Sequence, residues 1–133
     1  MAQMTFTADQ KKAIETHGQN ILVAAAAGSG KTRVLVERII SQVRSGMLSL
    51  DRVLVLTFTK AAAAEMRERI EAALNEEITA LAAGVVSASD LHQRIGALER
   101  QRVLLTGADI STFHSFCQRL IQSHIDATDI PPN

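Results

Sequence analysis

Apolar residues in this chain follow two alternating patterns, stripes spaced near 3.6 residues and short unbroken runs. Residues 5–17 predict a short helix with Thr7 as N-cap and Gly18 as its C-terminal stop. The run Ile21-Leu22-Val23-Ala24 predicts a first strand over 20–25. A helix over 30–44 follows, with Leu35, Val36, Ile39, Ile40 and Val43 forming one stripe, and Ser45-Gly46 break it. Val53-Leu54-Val55-Leu56 predict a second strand over 52–57, and the lack of alternation suits a strand covered on both faces. Met66, Ile70, Leu74, Ile78 and Leu81 mark a helix over 60–82 that Gly84 ends. A shorter helix over 89–104 turns Leu91, Ile95 and Leu98 inward. A brief strand over 109–113 and a helix over 115–125 complete the pattern. Strands alternating with helices predict an α/β fold, a parallel sheet flanked by crossover helices.

Composition narrows the picture. The chain has 133 residues, room for one domain with a core but not for two. Hydrophobic residues make up 47%, which excludes a disordered chain. Tyr and Trp are absent and Phe numbers four, so the core must rest on Leu, Ile, Val and Ala. Fourteen Lys and Arg balance fourteen Asp and Glu, so a generally basic surface cannot be invoked for nucleic-acid binding. The single Cys117 excludes an internal disulfide and fits a reducing compartment. No apolar stretch approaches the ~18 residues of a membrane span, and the N-terminus lacks a basic-then-apolar signal pattern. A cytoplasmic protein without a membrane partner is the expectation.

Residues 25–32, Ala-Ala-Ala-Gly-Ser-Gly-Lys-Thr, carry the most chemistry. Predicted strand, small-residue loop, Lys-Thr and helix form the arrangement that binds the phosphates of a nucleoside triphosphate. Glycines let the backbone curl so that successive N–H groups face one anion. Lys31 would reach the β- and γ-phosphates and the Thr32 hydroxyl would ligate Mg²⁺. Ala25 stands where this loop pattern usually opens with Gly. The competing structural reading is a small-residue turn capping a helix, which the flanking strand and helix disfavour.

Two further segments occupy the edge where open α/β sheets place ligands. At 56–70, Phe58 stands between two threonines, offering an aromatic face to a base and hydroxyls to phosphates. A core residue at a strand end is the equally weighted alternative for Phe58. Residues 110–117, Ile-Ser-Thr-Phe-His-Ser-Phe-Cys, repeat the design. There Thr112, His114 and Ser115 could touch a nucleic-acid backbone, while Phe113 or Phe116 could pack inward. Upstream, the Gln10 amide can donate to and accept from adenine, a weak signal by itself. The Glu65/Arg67/Glu68/Arg69 group reads as a solvated helix face with Glu65 pairing Arg69. His17, His92 and His124 lack metal-ligand spacing.

Taken in order, these segments resemble the N-terminal part of superfamily 1 DNA helicases of the UvrD/Rep type. The residues concerned are Phe6 and Gln10 (Q motif), 25–32 with Arg33 (motif I), 56–66 (motif Ia) and 111–116 (motif Ib). Within that group the alanine-rich loop, the 61–69 run and Ser-Thr-Phe-His-Ser-Phe-Cys look most like the AddA-type helicase/nucleases, the RecB-related half of two-component AddAB-type double-strand-break enzymes. The resemblance implies a P-loop, RecA-like fold that uses ATP and Mg²⁺. It implies that Gln10 reads adenine and Arg33 lies against the base, while residues Ala25, Ala26, Ala27, Gly28, Ser29, Gly30, Lys31 and Thr32 hold phosphates and Mg²⁺. It also implies a single-strand DNA track along Phe58, Thr59, Lys60, Thr112 and His114. Lys60 departs from the Asn usual in relatives and adds a positive charge beside that track.

The implied parent enzyme unwinds DNA ends during break repair, with a second subunit beside it and a nuclease activity of its own. The nearest alternative is a repair helicase of the UvrD/PcrA/Rep type without nuclease. The whole chain, 1–133, is then expected to be an N-terminal piece of RecA-like subdomain 1A, ending before the Asp-Glu strand that activates water and before the 1B insertion. Lacking that pair and the arginines of a second RecA-like domain, the piece is expected to show no turnover of its own. A small P-loop kinase would need an acceptor site and a lid arginine set, neither of which is evident. A non-catalytic nucleotide- or DNA-binding module remains the third possibility.

Overall fold

A computed structural model describes residues 5–28, 30–84 and 88–127. Helix α1 spans Ala8–Glu15, opened by Thr7, whose hydroxyl accepts from the Gln10 N–H. It stops before Gly18, because Thr16 turns to φ −74° and ψ 115°. Its last carbonyls go to Arg38, which donates to Ala13 O at 2.6 Å, to Ile14 O at 3.4 Å and to Thr16 O. A side chain from another helix thus replaces the glycine stop that the sequence predicts.

Residues 20–25 do not form the predicted first strand: no ladder pairs them among the described residues. A strand exists only with a hydrogen-bonded neighbour, and this run has none there. Its side chains stay open, with Leu22 94% exposed.

Helix α2, Lys31–Arg44, buries Val34, Val36, Ile39, Ile40 and Val43. Leu35, expected in the stripe, is instead 38% exposed, and Val34 takes the inward position. A short 3₁₀ turn, Leu50–Arg52, leads to β1, Leu54–Thr57. Helix α3, Lys60–Ala83, buries Ala63, Met66, Ile70 and Leu74, with Ile78 and Leu81 packed at the margin. Helix α4, Ala88–Leu104, contributes Leu98, and a second 3₁₀ turn, Leu105–Gly107, precedes β2, Asp109–Thr112. Helix α5, Phe113–Ser123, starts two residues before the predicted position because the Thr112 hydroxyl caps it by accepting from the Ser115 N–H.

The sheet is therefore two-stranded and parallel among the described residues, rather than three-stranded. The register pairs Leu54 with Asp109 and Thr57 with Thr112. Val55 and Ile110 point into the core, while Leu54 is 48% exposed, so β1 is not covered on both faces. Ile40, Leu50, Ile70 and Leu74 are the most deeply buried side chains, joining α2, α3 and the strand approach in one core. Each such aliphatic residue contributes about 1.5–3 kcal/mol by leaving water.

Arg67 corrects the solvated-face reading of its cluster. It donates to Leu105 O and, at 3.0 Å, to Ala108 O, closing the turn that feeds β2. Glu65 and Arg69 do pair on the surface, at 2.6 Å.

Candidate functional site

The register of the two strands determines what stands side by side at their C-terminal ends. Thr57 opposite Thr112 makes Phe58 and Phe113 neighbours, with ring centroids 5.8 Å apart and planes tilted by 39°. Phe58 is 93% exposed, which removes the core reading and leaves an aromatic face in solvent. Phe113 is 49% exposed beside it. The threonines that sequence reasoning assigns to a nucleic-acid backbone serve first as helix caps. Thr59 accepts from the Ala62 N–H at 3.0 Å, and Thr112 accepts from the Ser115 N–H at 3.2 Å while donating to Ser115 Oγ at 2.9 Å. Thr57 Oγ1 donates to Thr59 O and Ser111 O, tying the two strand ends together.

Lys60 and His114 sit exposed in the first turns of α3 and α5. A cation at a helix N-terminus opposes the macrodipole, so helix stability does not account for Lys60. Beneath lies an open hollow of about 280 Å³, lined by Lys60, Arg67, Ser111, Thr112, Ser115 and Arg119. Arg119 is held by Asp109 at 2.7 Å and by Ser111 Oγ at 3.1 Å.

The second locus is the start of α2. Gly28 has φ 77° and Gly30 φ 82°, left-handed values that a Cβ would strain. Ser29, assigned to the same loop, lies outside the described residues. Gly30 is the N-cap, and no side chain among the described residues caps the helix. The Lys31, Thr32 and Arg33 N–H groups thus fall among the first-turn donors that have no intrahelical acceptor. Lys31 Nζ folds over the loop, donating to Ala25 O at 2.5 Å and Ala26 O at 2.9 Å. Thr32 is exposed one residue further on, and Ala27 completes the exposed loop.

Gln10 comes close to this loop from α1. Its Nε2 lies 3.5 Å from where a Cβ on Gly30 would be. Its Oε1 accepts from the Thr7 N–H at 2.9 Å, the reciprocal half of a capping box. That role is readable from Thr7 and Gln10 at their spacing, a signal that the adenine reading overshadows. A hollow of about 330 Å³ lined by Gln10, Ala13, Val23, Ala25, Lys31 and Val34 adjoins the loop. Arg33 lies over the Phe6 ring, its guanidinium carbon 4.3 Å from the centroid.

The predicted residues therefore fall into two groups. One gathers Gln10, the loop, Lys31, Thr32 and Arg33 at the start of α2. The other gathers Phe58, Thr59, Lys60, Thr112 and His114 at the starts of α3 and α5. Sequence reasoning missed Arg38 and Arg67, whose carbonyl partners lie more than twenty residues away in the chain. No cluster of three or more His, Cys, Asp or Glu suits a metal ion among the described residues, and no helix there is long and apolar enough to cross a membrane.

Comparison with known proteins adds an independent line. The family model described as UvrD/REP helicase N-terminal domain matches residues 6–133. A Clostridium novyi protein, named as the A component of an ATP-dependent helicase/nuclease, is 44% identical over 135 aligned residues, covering 100% of this chain and 10% of its own length. Proteins of the same name from Staphylococcus saprophyticus and Levilactobacillus brevis are 47% and 48% identical, over 96% and 98% of this chain and again 10% of their own length. The chain thus spans about one tenth of the length of these relatives.

Proposed function

The chain belongs to the UvrD/REP helicase N-terminal domain family, and on that premise we propose that it forms the ATP-binding part of a DNA-unwinding motor. Residues 1–133 then make up the N-terminal portion of a RecA-like P-loop domain, subdomain 1A. Its parent is an AddA-type helicase/nuclease that unwinds DNA ends in break repair together with a second, partner subunit, in keeping with the name its relatives carry.

The observation that carries this reading is the uncapped start of α2. Two left-handed glycines stand within the loop, no side chain among the described residues caps the helix and one ammonium is folded over the loop carbonyls. That donor set fits a triphosphate: oriented N–H groups, the positive end of a helix, and an ammonium beside them. A nucleotide with Mg²⁺ would be held by the 25–32 loop, Lys31 and Thr32, and when bound it supplies the phosphoanhydride bond whose cleavage drives movement. The chain's own task there is positioning. The α2 amides orient the phosphate oxygens, and Lys31 exchanges the Ala25 and Ala26 carbonyls for the β- and γ-phosphates. The Thr32 hydroxyl would ligate Mg²⁺. Gln10, whose Nε2 stands near Gly30, reads the adenine edge, since a side-chain amide can both accept and donate. Arg33, stacked on Phe6, would lie against the base.

The Phe58 edge serves as the single-strand track. An aromatic ring in solvent, a cation placed against a helix dipole and two helix N-termini side by side suit stacked bases and a phosphate backbone. Titration with a non-hydrolysable ATP analogue tests the nucleotide half. Saturable binding that Lys31→Ala weakens at least tenfold is expected, and equal affinity of both proteins would refute it.

A further inference from the structure

Two arginines on α2 grip α1 at opposite ends. Arg33 stacks on Phe6, the residue just before the Thr7 cap. Arg38, partly buried, donates to Ala13 O, Ile14 O and Thr16 O where α1 ends. Between the grips stands Gln10, its Oε1 held by the capping box and its Nε2 3.5 Å from where a Cβ on Gly30 would be. Gly30 begins the same α2 that carries both arginines. One helix therefore holds the phosphate-facing amides and, through Phe6 and Arg38, the element bearing the base-facing amide.

We infer that Phe6 and Arg38 are positioning residues for purine selection, locking Gln10 at a fixed distance from the phosphate loop. This rests on the reading of Gln10 as the adenine contact. Discriminating adenine from guanine by one amide demands placement within about 0.5 Å, a tolerance that an unclamped helix of eight residues does not hold. Phosphate affinity has no such demand on α1, because the amides and Lys31 that supply it stand on α2 and its loop. Loosening the clamp thus separates base selectivity from phosphate binding.

The test measures affinities of the full chain for ATP, GTP and inorganic tripolyphosphate, by competition against a fluorescent ATP analogue. The unaltered chain prefers ATP over GTP, and Gln10→Ala erases the preference. Phe6→Leu and Arg38→Met each reduce it by about threefold or more, the range of a lost hydrogen bond. Both leave tripolyphosphate affinity within about twofold of its starting value, and Phe6→Trp, which keeps a ring face for Arg33, retains the preference. Preference intact in Phe6→Leu and Arg38→Met, but lost in Gln10→Ala, overturns the clamp and leaves the adenine contact standing. Preference unaffected by Gln10→Ala removes the adenine contact and the clamp with it. Parallel loss of tripolyphosphate binding in the clamp variants also overturns the proposal, since these residues would then merely hold the fold.

Discussion

Replacing Phe58 by Ala separates a functional aromatic from a structural one. Full burial of a Phe stabilises a fold by about 1.5–3 kcal/mol, but Phe58 is 93% exposed, so burial contributes about 0.2 kcal/mol. Its remaining tie is the tilted contact with Phe113 at 5.8 Å, and such pairs add about 0.5–1.5 kcal/mol, less when solvated. The melting temperature of Phe58→Ala should therefore fall by only a few degrees. A base stacked on that ring contributes about 1–3 kcal/mol, so affinity for single-stranded DNA should drop between about fivefold and 140-fold. Fluorescence anisotropy with a labelled oligo-dT, alongside a thermal melt, reads both quantities on one preparation. Unchanged oligonucleotide affinity would refute the stacking role. A melting loss as large as that of a core truncation would refute the argument from exposure.

Ile70→Ala supplies that core comparison: Ile70 is fully buried, and the truncation should cost about 2–5 kcal/mol in chemical denaturation. Arg67→Ala removes the guanidinium bonds to the Leu105 and Ala108 carbonyls, which keep the Ala108 and Ile110 N–H groups as donors, and should cost about 0.5–1.5 kcal/mol by the same assay. Oligonucleotide affinity should fall linearly with log salt, and Lys60→Ala should flatten that slope by about 0.7, the value for one phosphate contact on a single strand. An unchanged slope would remove Lys60 from the track. Gly30→Ala forces a Cβ into φ 82°, which should destabilise the loop by about 1–2 kcal/mol and weaken ATP-analogue binding in a calorimetric titration. The new methyl meets Gln10 Nε2 only at ordinary contact distance, so strain rather than collision is the cause.

What was legible in the sequence was local. The periods of α2 and α3 gave their extents to within a residue, because a stripe such as Met66, Ile70, Leu74 depends only on its own spacing. The turn ahead of α2 was legible because Gly28 and Gly30 carry their left-handed preference in the residues themselves. Pairing was not. Residues 20–25 read as a strand by composition, yet a ladder depends on a neighbour that no local pattern specifies. Arg38 and Arg67 look like ordinary surface cations, and only the folded chain brings distant carbonyls to them. Phe58 was undecidable for the same reason: a ring at a strand end faces core or solvent according to what packs there. The sequence-level reading of Thr59 and Thr112 as backbone contacts overlooked that a hydroxyl ahead of a helix is used first as its cap.

If the start of α2 wraps a phosphate chain, amide NMR of the labelled chain, titrated with an ATP analogue and Mg²⁺, will register it residue by residue. The largest shifts are expected at Gly28, Gly30, Lys31, Thr32 and Arg33, with Lys31 Nζ released from the Ala25 and Ala26 carbonyls. Silent resonances at these five residues under saturating ligand, or shifts confined to the Phe58 edge, would contradict it.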